Sequence, residues 1–279
     1  MENTQDQTTP STPKCRDLPA WLYWGGPIAT LLICWLTPLL GYGRWHRIMG
    51  HHEFSFIEIA TVVFLLPASV LSAVISFRLW RRHNKSQKQA RTVALTMFVL
   101  ALAAFYLGGE EMSWGQSYIR WGTPDSWKSV NKQNETNIHN LELTRYGPWI
   151  AWLDDMVNNT PRQALLVASI LGATLPLMLG KWRRNEQARK SIWYWLIPTR
   201  SLVPICALAA TSTLPEKVVK LLRDTYGQQF WPAQDTYVRM AFLAPAGELK
   251  EYCYGMMILL YAISLYLRTR NQTIGKLPE

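Results

Sequence analysis

Four glutamates in two tight pairs, Glu110 with Glu111 and Glu248 with Glu251, are the residues of this chain best suited to chemistry. Paired carboxylates suit a divalent cation, or acid and base work in which a proton passes between them. Glu248 and Glu251 stand three apart, the spacing that puts two side chains on one helical face, with Tyr252 beside them. The first pair opens a polar block, Glu110-Glu111-Met112-Ser113-Trp114-Gly115-Gln116, and further along His139 lies among Asn134, Asn137 and Asn140. An imidazole titrates near neutrality and is a common metal ligand, so His139 could complete the set. Glu110, Glu111, His139, Glu248 and Glu251 are therefore the candidate metal ligands. The same five with Gln116 are the candidate catalytic residues, and Trp114 is expected to line the entrance. His51, His52 and Glu53 form a weaker second cluster, since adjacent residues point apart unless a tight turn redirects them.

These residues border long apolar stretches. The chain has 279 residues, 49% hydrophobic and only 17% charged, and its charges gather in short blocks rather than along amphipathic faces. Between the blocks lie segments at 21–42, 57–77, 92–109, 163–180, 198–215 and 241–267, near the roughly 20 residues needed to cross hydrocarbon. Only a helix or a closed barrel satisfies its own backbone in lipid, and the alternation of a barrel is missing. The expected fold is all-α: a polytopic membrane bundle of about six transmembrane helices with one long outer loop, 110–162. Pro27, Pro38, Pro67, Pro176, Pro204 and Pro245 are candidate kinks. Arg200 interrupts the fifth segment, which reads best as a helix starting near Pro198 with Arg200 at the interface.

Three basic blocks orient the segments: Arg78, Arg81, Arg82, Lys85, Lys88 and Arg91; Lys181, Arg183, Arg184, Arg189 and Lys190; Arg268, Arg270 and Lys276. The positive-inside rule places all three in the cytoplasm, giving a multi-pass protein of the cytoplasmic (inner) membrane with both termini inside. The polar tail 1–17 is expected to be disordered, 18–270 to form the membrane domain and 271–279 a second cytoplasmic tail. No small-residue cleavage site closes the first apolar run, so it is not read as a signal peptide.

Orientation then gives depth. Glu58 lies 20 residues from Arg78, Glu110 lies 19 from Arg91, and Glu248 lies 20 from Arg268. At about 1.5 Å per residue each span approaches 30 Å, so the carboxylates share a level near the outer hydrocarbon boundary. Glu110, Glu248 and His139 are expected to share one cavity there. The ordinary alternative is that the acids only mark the end of the hydrocarbon, or pair with Lys250, Lys217 or Arg120.

Other chemistries find no residues. The net charge of +10 sits mostly at the ends of apolar runs, not on a solvated face, so nucleic acid is not an expected partner. The cysteines, Cys15, Cys34, Cys206 and Cys253, form no CxxC knuckle or disulfide framework. Walker, GxSxG and HExxH motifs are missing, and no histidine falls within the apolar segments, so an alkaline-ceramidase-like zinc hydrolase does not fit.

The run Gly109-Glu110-Glu111-Met112-Ser113-Trp114-Gly115-Gln116, then Thr123-Pro124, then Asn137-Ile138-His139-Asn140-Leu141, resembles the signature of a family of bacterial multi-pass membrane proteins to which no activity is assigned. Glu53 and Glu58 before the second segment, and the turn Glu248-Leu249-Lys250-Glu251, are similar to it as well. The resemblance implies a grouping of residues and no reaction. Three functions remain open: a metal-dependent enzyme acting on a lipid or lipid-linked substrate, a cation- or proton-coupled transporter, and an accessory or assembly protein docking through its tryptophan-rich loop.

Overall fold

The computed structural model describes residues 17–49, 55–82, 88–131, 136–138, 149, 152, 155–227, 232, 236–243 and 246–270. Helices dominate, and the described residues contain no strand. In chain order they are α1 (Ala20–Leu36), α2 (Tyr42–Met49), α3 (Phe56–Arg82), α4 (Lys88–Glu111), α5 (Gln116–Ile119), α6 (Asp125–Lys128), α7 (Thr160–Met178), α8 (Ile192–Leu196), α9 (Val203–Thr211), α10 (Leu214–Tyr226) and α11 (Ala246–Arg270). The tails 1–16 and 271–279 lie outside the described residues, as do His51, His52 and Glu53.

The chain is an all-α membrane helix bundle. Among the described residues, five apolar stretches are long enough to cross a bilayer: Ala20–Leu40, Phe56–Arg81, Lys88–Glu111, Thr160–Met178 and Ile192–Tyr226. Only 17% to 39% of their most apolar windows is buried, so the apolar side chains face outward, as hydrocarbon requires and water would penalise. The sixth long helix, α11, is different: its 25 residues would reach about 37 Å. It is less apolar than the others because the bundle encloses it, with residues 252–258 buried without a break. A helix covered by its neighbours need not show lipid an apolar surface all round.

Small residues set how closely α11 and α4 approach α3. A Cβ at Gly255 would stand 3.3 Å from the Thr61 carbonyl oxygen of α3, and one at Gly108 would stand 3.3 Å from Leu65. Both glycines let backbones pack where a larger residue would hold them apart. Phe64 meets Tyr252 with ring centroids 5.2 Å apart, and the Arg78 guanidinium lies 5.1 Å from the Tyr266 ring centre. Each residue of the second pair is 14 beyond its counterpart in the first, so α3 and α11 run parallel and in register. α4 runs antiparallel to both, tied to α3 midway by the Ser69 hydroxyl donating to the Ala101 carbonyl at 2.8 Å.

The bundle consequently has a basic end and an acidic end. At the basic end, buried Arg268 donates to the carbonyls of Tyr194 (3.1 Å) and Trp195 (3.2 Å), and Arg183 also donates to Tyr194 (2.8 Å). These guanidiniums satisfy carbonyls at the C-terminus of α8, where the helix dipole is negative. Asp17 docks on the same end, accepting from Ser264 at 2.8 Å and Ser201 at 3.2 Å.

The fifth segment departs from the continuous span 198–215. Arg200 is exposed on a 3-10 turn, Arg200–Leu202, its Nε donating to the Pro176 carbonyl at 3.5 Å, and the helix proper starts at Val203. Pro204 occupies the first turn of α9 and Pro215 the first turn of α10, where the missing N–H would be unpaired anyway. Pro204 and Pro38 are therefore starts of helical turns rather than interior kinks, whereas Pro27, Pro67 and Pro176 are interior. Pro245 lies outside the described residues.

Candidate functional site

At the acidic end, α4 finishes and α11 begins. Ser55, fully buried, accepts from the Glu58 amide at 3.2 Å and so caps the start of α3 beside them. Glu248 and Glu251 occupy the first turns of α11, where the positive end of the helix dipole favours carboxylates. Glu111 is the last residue of α4, where the dipole opposes a negative charge. One carboxylate oxygen from each of Glu111, Glu248 and Glu251 lies within 4.8 Å of the other two. Oxygens at that separation can all reach a common ion at about 2.0 to 2.6 Å. Like charges so close must be offset by a cation, a shared proton or basic neighbours. One such neighbour is Arg162 at the start of α7, whose Nη2 sits 3.2 Å from Glu251 Oε1. Glu58 works the other way, adding a further carboxylate that repels Glu111. The Tyr254 ring is buried one turn beyond Glu251, and its hydroxyl has no hydrogen-bond partner among the described residues.

Comparison with known protein families, curated proteins and solved structures finds no match.

The neighbouring Glu110 does other work. It is buried; its Oε1 accepts from Trp114 Nε1 at 2.6 Å and its Oε2 from the Ile138 amide at 2.6 Å. This needs a sharp reversal after α4, which Ser113, Trp114 and Gly115 make with φ of 46°, 56° and 88°. Only glycine adopts that region freely, so the two non-glycine residues are strained and held by their contacts. The reversal lays the indole over Gly109, where a Cβ would stand 2.6 Å from the ring. Trp114 thus lies against the helix end instead of standing free above it.

Gln116 serves the same knot. Its Oε1 accepts from the Thr136 amide (2.7 Å) and hydroxyl (3.0 Å), and its Nε2 donates to Thr123 Oγ1 at 2.6 Å. The Thr136 hydroxyl lies 3.0 Å from the Ser113 carbonyl, and Asn137, 1% exposed, donates to Ser113 Oγ at 3.3 Å and accepts from Asn131 Nδ2 at 3.1 Å. The polar block 110–116 and the asparagine run therefore meet, bringing residues 20 to 28 apart in sequence into one hydrogen-bonded unit. His139 and Asn140, next along the chain, lie outside the described residues.

Of the expected site residues, the structure gathers Glu111, Glu248 and Glu251 in one cluster and places Glu110 and Gln116 in the loop anchor. Arg162 was not singled out from the sequence, where Lys250, Lys217 and Arg120 were the basic partners considered. The signal for it existed: it stands at the acidic end of its apolar segment, as the glutamates do on theirs.

Proposed function

We propose that this protein is a membrane-embedded, divalent-cation-dependent enzyme acting on a lipid or lipid-linked substrate, with Glu111, Glu248 and Glu251 as the cation ligands. The observation that carries this reading is the approach of three carboxylate oxygens to within 4.8 Å at the end of a membrane span. A cation there would polarise a phosphate or ester oxygen of a headgroup entering from the bilayer. Glu110 and Gln116 are positioning residues in this account, fixing the loop that leads to His139, a further ligand or acid-base group. The basic loops face the cytoplasm and the cluster faces outward, in a cytoplasmic membrane with both termini inside. Kinship with the bacterial family that the 110–116 and 137–141 runs resemble is part of the same proposal.

Cation-coupled transport is the second reading, and one contact favours it. Arg162 of α7 and Glu251 of α11 join two helices, so a cation that took Glu251 from Arg162 would remove one tie between them. Metal analysis of detergent-purified protein, followed by titration of the stripped protein with Mg2+, Mn2+, Ca2+ and Zn2+, tests the site. Binding that disappears in Glu248→Gln supports it; equal binding by the variant removes it. Cation-driven uptake into proteoliposomes would move the assignment to transport.

A further inference from the structure

We propose that the groove between α10 and the π-helical turn Arg239–Leu243 seats one hydrocarbon chain of a bilayer lipid. The groove is a shallow, open one of about 620 Å3, and the described residues that line it, Thr211, Leu214, Val218, Val219, Val238 and Leu243 together with Pro215, are aliphatic apart from one hydroxyl. Such a wall offers almost nothing to a polar ligand and suits an apolar chain laid along it.

Its place in the fold says which apolar ligand is at hand. α9 packs along α11 from the level of Ser264 toward the acidic end, and α10 follows two residues later. α10 therefore begins near the level of the acidic end of α11, in the second half of the apolar stretch Ile192–Tyr226. Stepping 100° per residue, Leu214, Val218, Leu221 and Leu222 fall on one arc, and Glu216, Lys217, Lys220, Arg223 and Asp224 on the other. Leu214, Val218 and Leu221 are 50%, 54% and 66% exposed, so the bundle does not cover this face. An uncovered apolar face beside a charged one of mixed sign, continuous with a membrane span, is the pattern of a helix lying in the interface plane. Lys217 and Lys220 then reach toward anionic headgroups while the aliphatic face meets the acyl chains, Arg223 being paired with Asp224 at 2.7 Å.

The other wall is anchored, not loose. The Tyr237 hydroxyl donates to the Trp35 carbonyl on α1 at 2.8 Å, holding the segment that carries Val238 and Leu243. Leu243 stands five residues before Glu248 in the chain. If the cluster is the site proposed above, the substrate class narrows to a chain-bearing lipid; that step rests on the functional reading, whereas the chain seat does not.

The test uses full-length protein in phosphatidylethanolamine and phosphatidylglycerol vesicles containing a phospholipid with a photoreactive diazirine in its acyl chain, with adducts mapped by mass spectrometry. Adducts at 214–219 and 238–243 are expected several-fold above those at the exposed Val70 and Leu102 of the outer helices. Val219→Trp, which fills the groove from a partly exposed position, should remove the groove adducts and leave those at Val70. Groove adducts no more abundant than at Val70, or unchanged in Val219→Trp of wild-type elution profile, would overturn the proposal. Glu248→Gln separates the two readings. It should abolish cation binding with groove adducts intact; wild-type protein that shows the groove adducts but binds no cation would sink the enzyme assignment and leave the chain seat standing.

Discussion

Glu110 and Glu111 are neighbours in the chain but belong to different structures: Glu110 binds the Trp114 indole and the Ile138 amide, whereas Glu111 joins Glu248 and Glu251. Successive helical residues point about 100° apart, so one helix end can supply a loop anchor on one side and a cluster ligand on the other.

That division predicts opposite effects of two adjacent substitutions. Glu110→Ala leaves the Trp114 indole N–H and the Ile138 amide without their acceptor, and hydrogen bonds to a charged group contribute about 1.5 to 3 kcal/mol each. It should lower the unfolding midpoint in detergent markedly. Glu111→Gln removes one of three mutually repelling charges and should leave stability equal or higher while weakening cation binding. Equal loss of stability in both would refute the division.

A saturating cation should stabilise the folded protein by linkage, by about 2.7 kcal/mol at a hundredfold excess over its dissociation constant. Thermal unfolding of wild type with and without a chelator reads this directly, and Glu248→Gln should show no difference between the two. A wild type indifferent to every divalent ion would remove the metal from the mechanism.

Arg162→Gln should tighten cation binding, because Arg162 holds Glu251 at 3.2 Å and contributes a repelling positive charge. The Arg162 side chain is 46% exposed, so solvent screening limits the effect to about 0 to 1 kcal/mol, at most several-fold in affinity. Isothermal titration would detect it; weaker binding in the variant would show that Arg162 supports the site instead of competing for it.

Gly109→Ala should disrupt the loop anchor without touching a ligand. Its methyl group would meet the Trp114 ring at 2.6 Å, and relieving such overpacking typically takes about 1 to 3 kcal/mol. A red shift of tryptophan emission together with a lowered unfolding midpoint would report the displaced indole. Unchanged stability would mean that the ring has room to move.

Cysteines at positions 126 and 86 test the orientation. With the outer envelope permeable, an impermeant thiol reagent should label Ser126→Cys and not Ser86→Cys in intact cells, since the basic loop containing Ser86 is expected inside. Equal labelling would overturn the assignment of the acidic end to the outside.

The all-α membrane fold was legible in the sequence because uncharged runs of bilayer length have only one backbone solution in lipid. The separation of basic from acidic helix ends was legible for a related reason: at about 1.5 Å per residue, counting from an arginine block locates the far boundary. What counting could not decide is the direction of a side chain about the helix axis, and for Glu110 and Glu111 that direction is the whole difference between anchor and cluster. It could not show that Gln116 and Thr136 close one knot, since the left-handed turn at Ser113 and Trp114 arises from contacts made after the chain has folded back. Counting puts Arg162 at the level of the glutamates but could not pair it with Glu251, or reveal that α11 is the enclosed helix of the bundle. Which helices touch is settled by packing across the whole bundle, through close approaches such as Gly255 against Thr61 that no local pattern encodes.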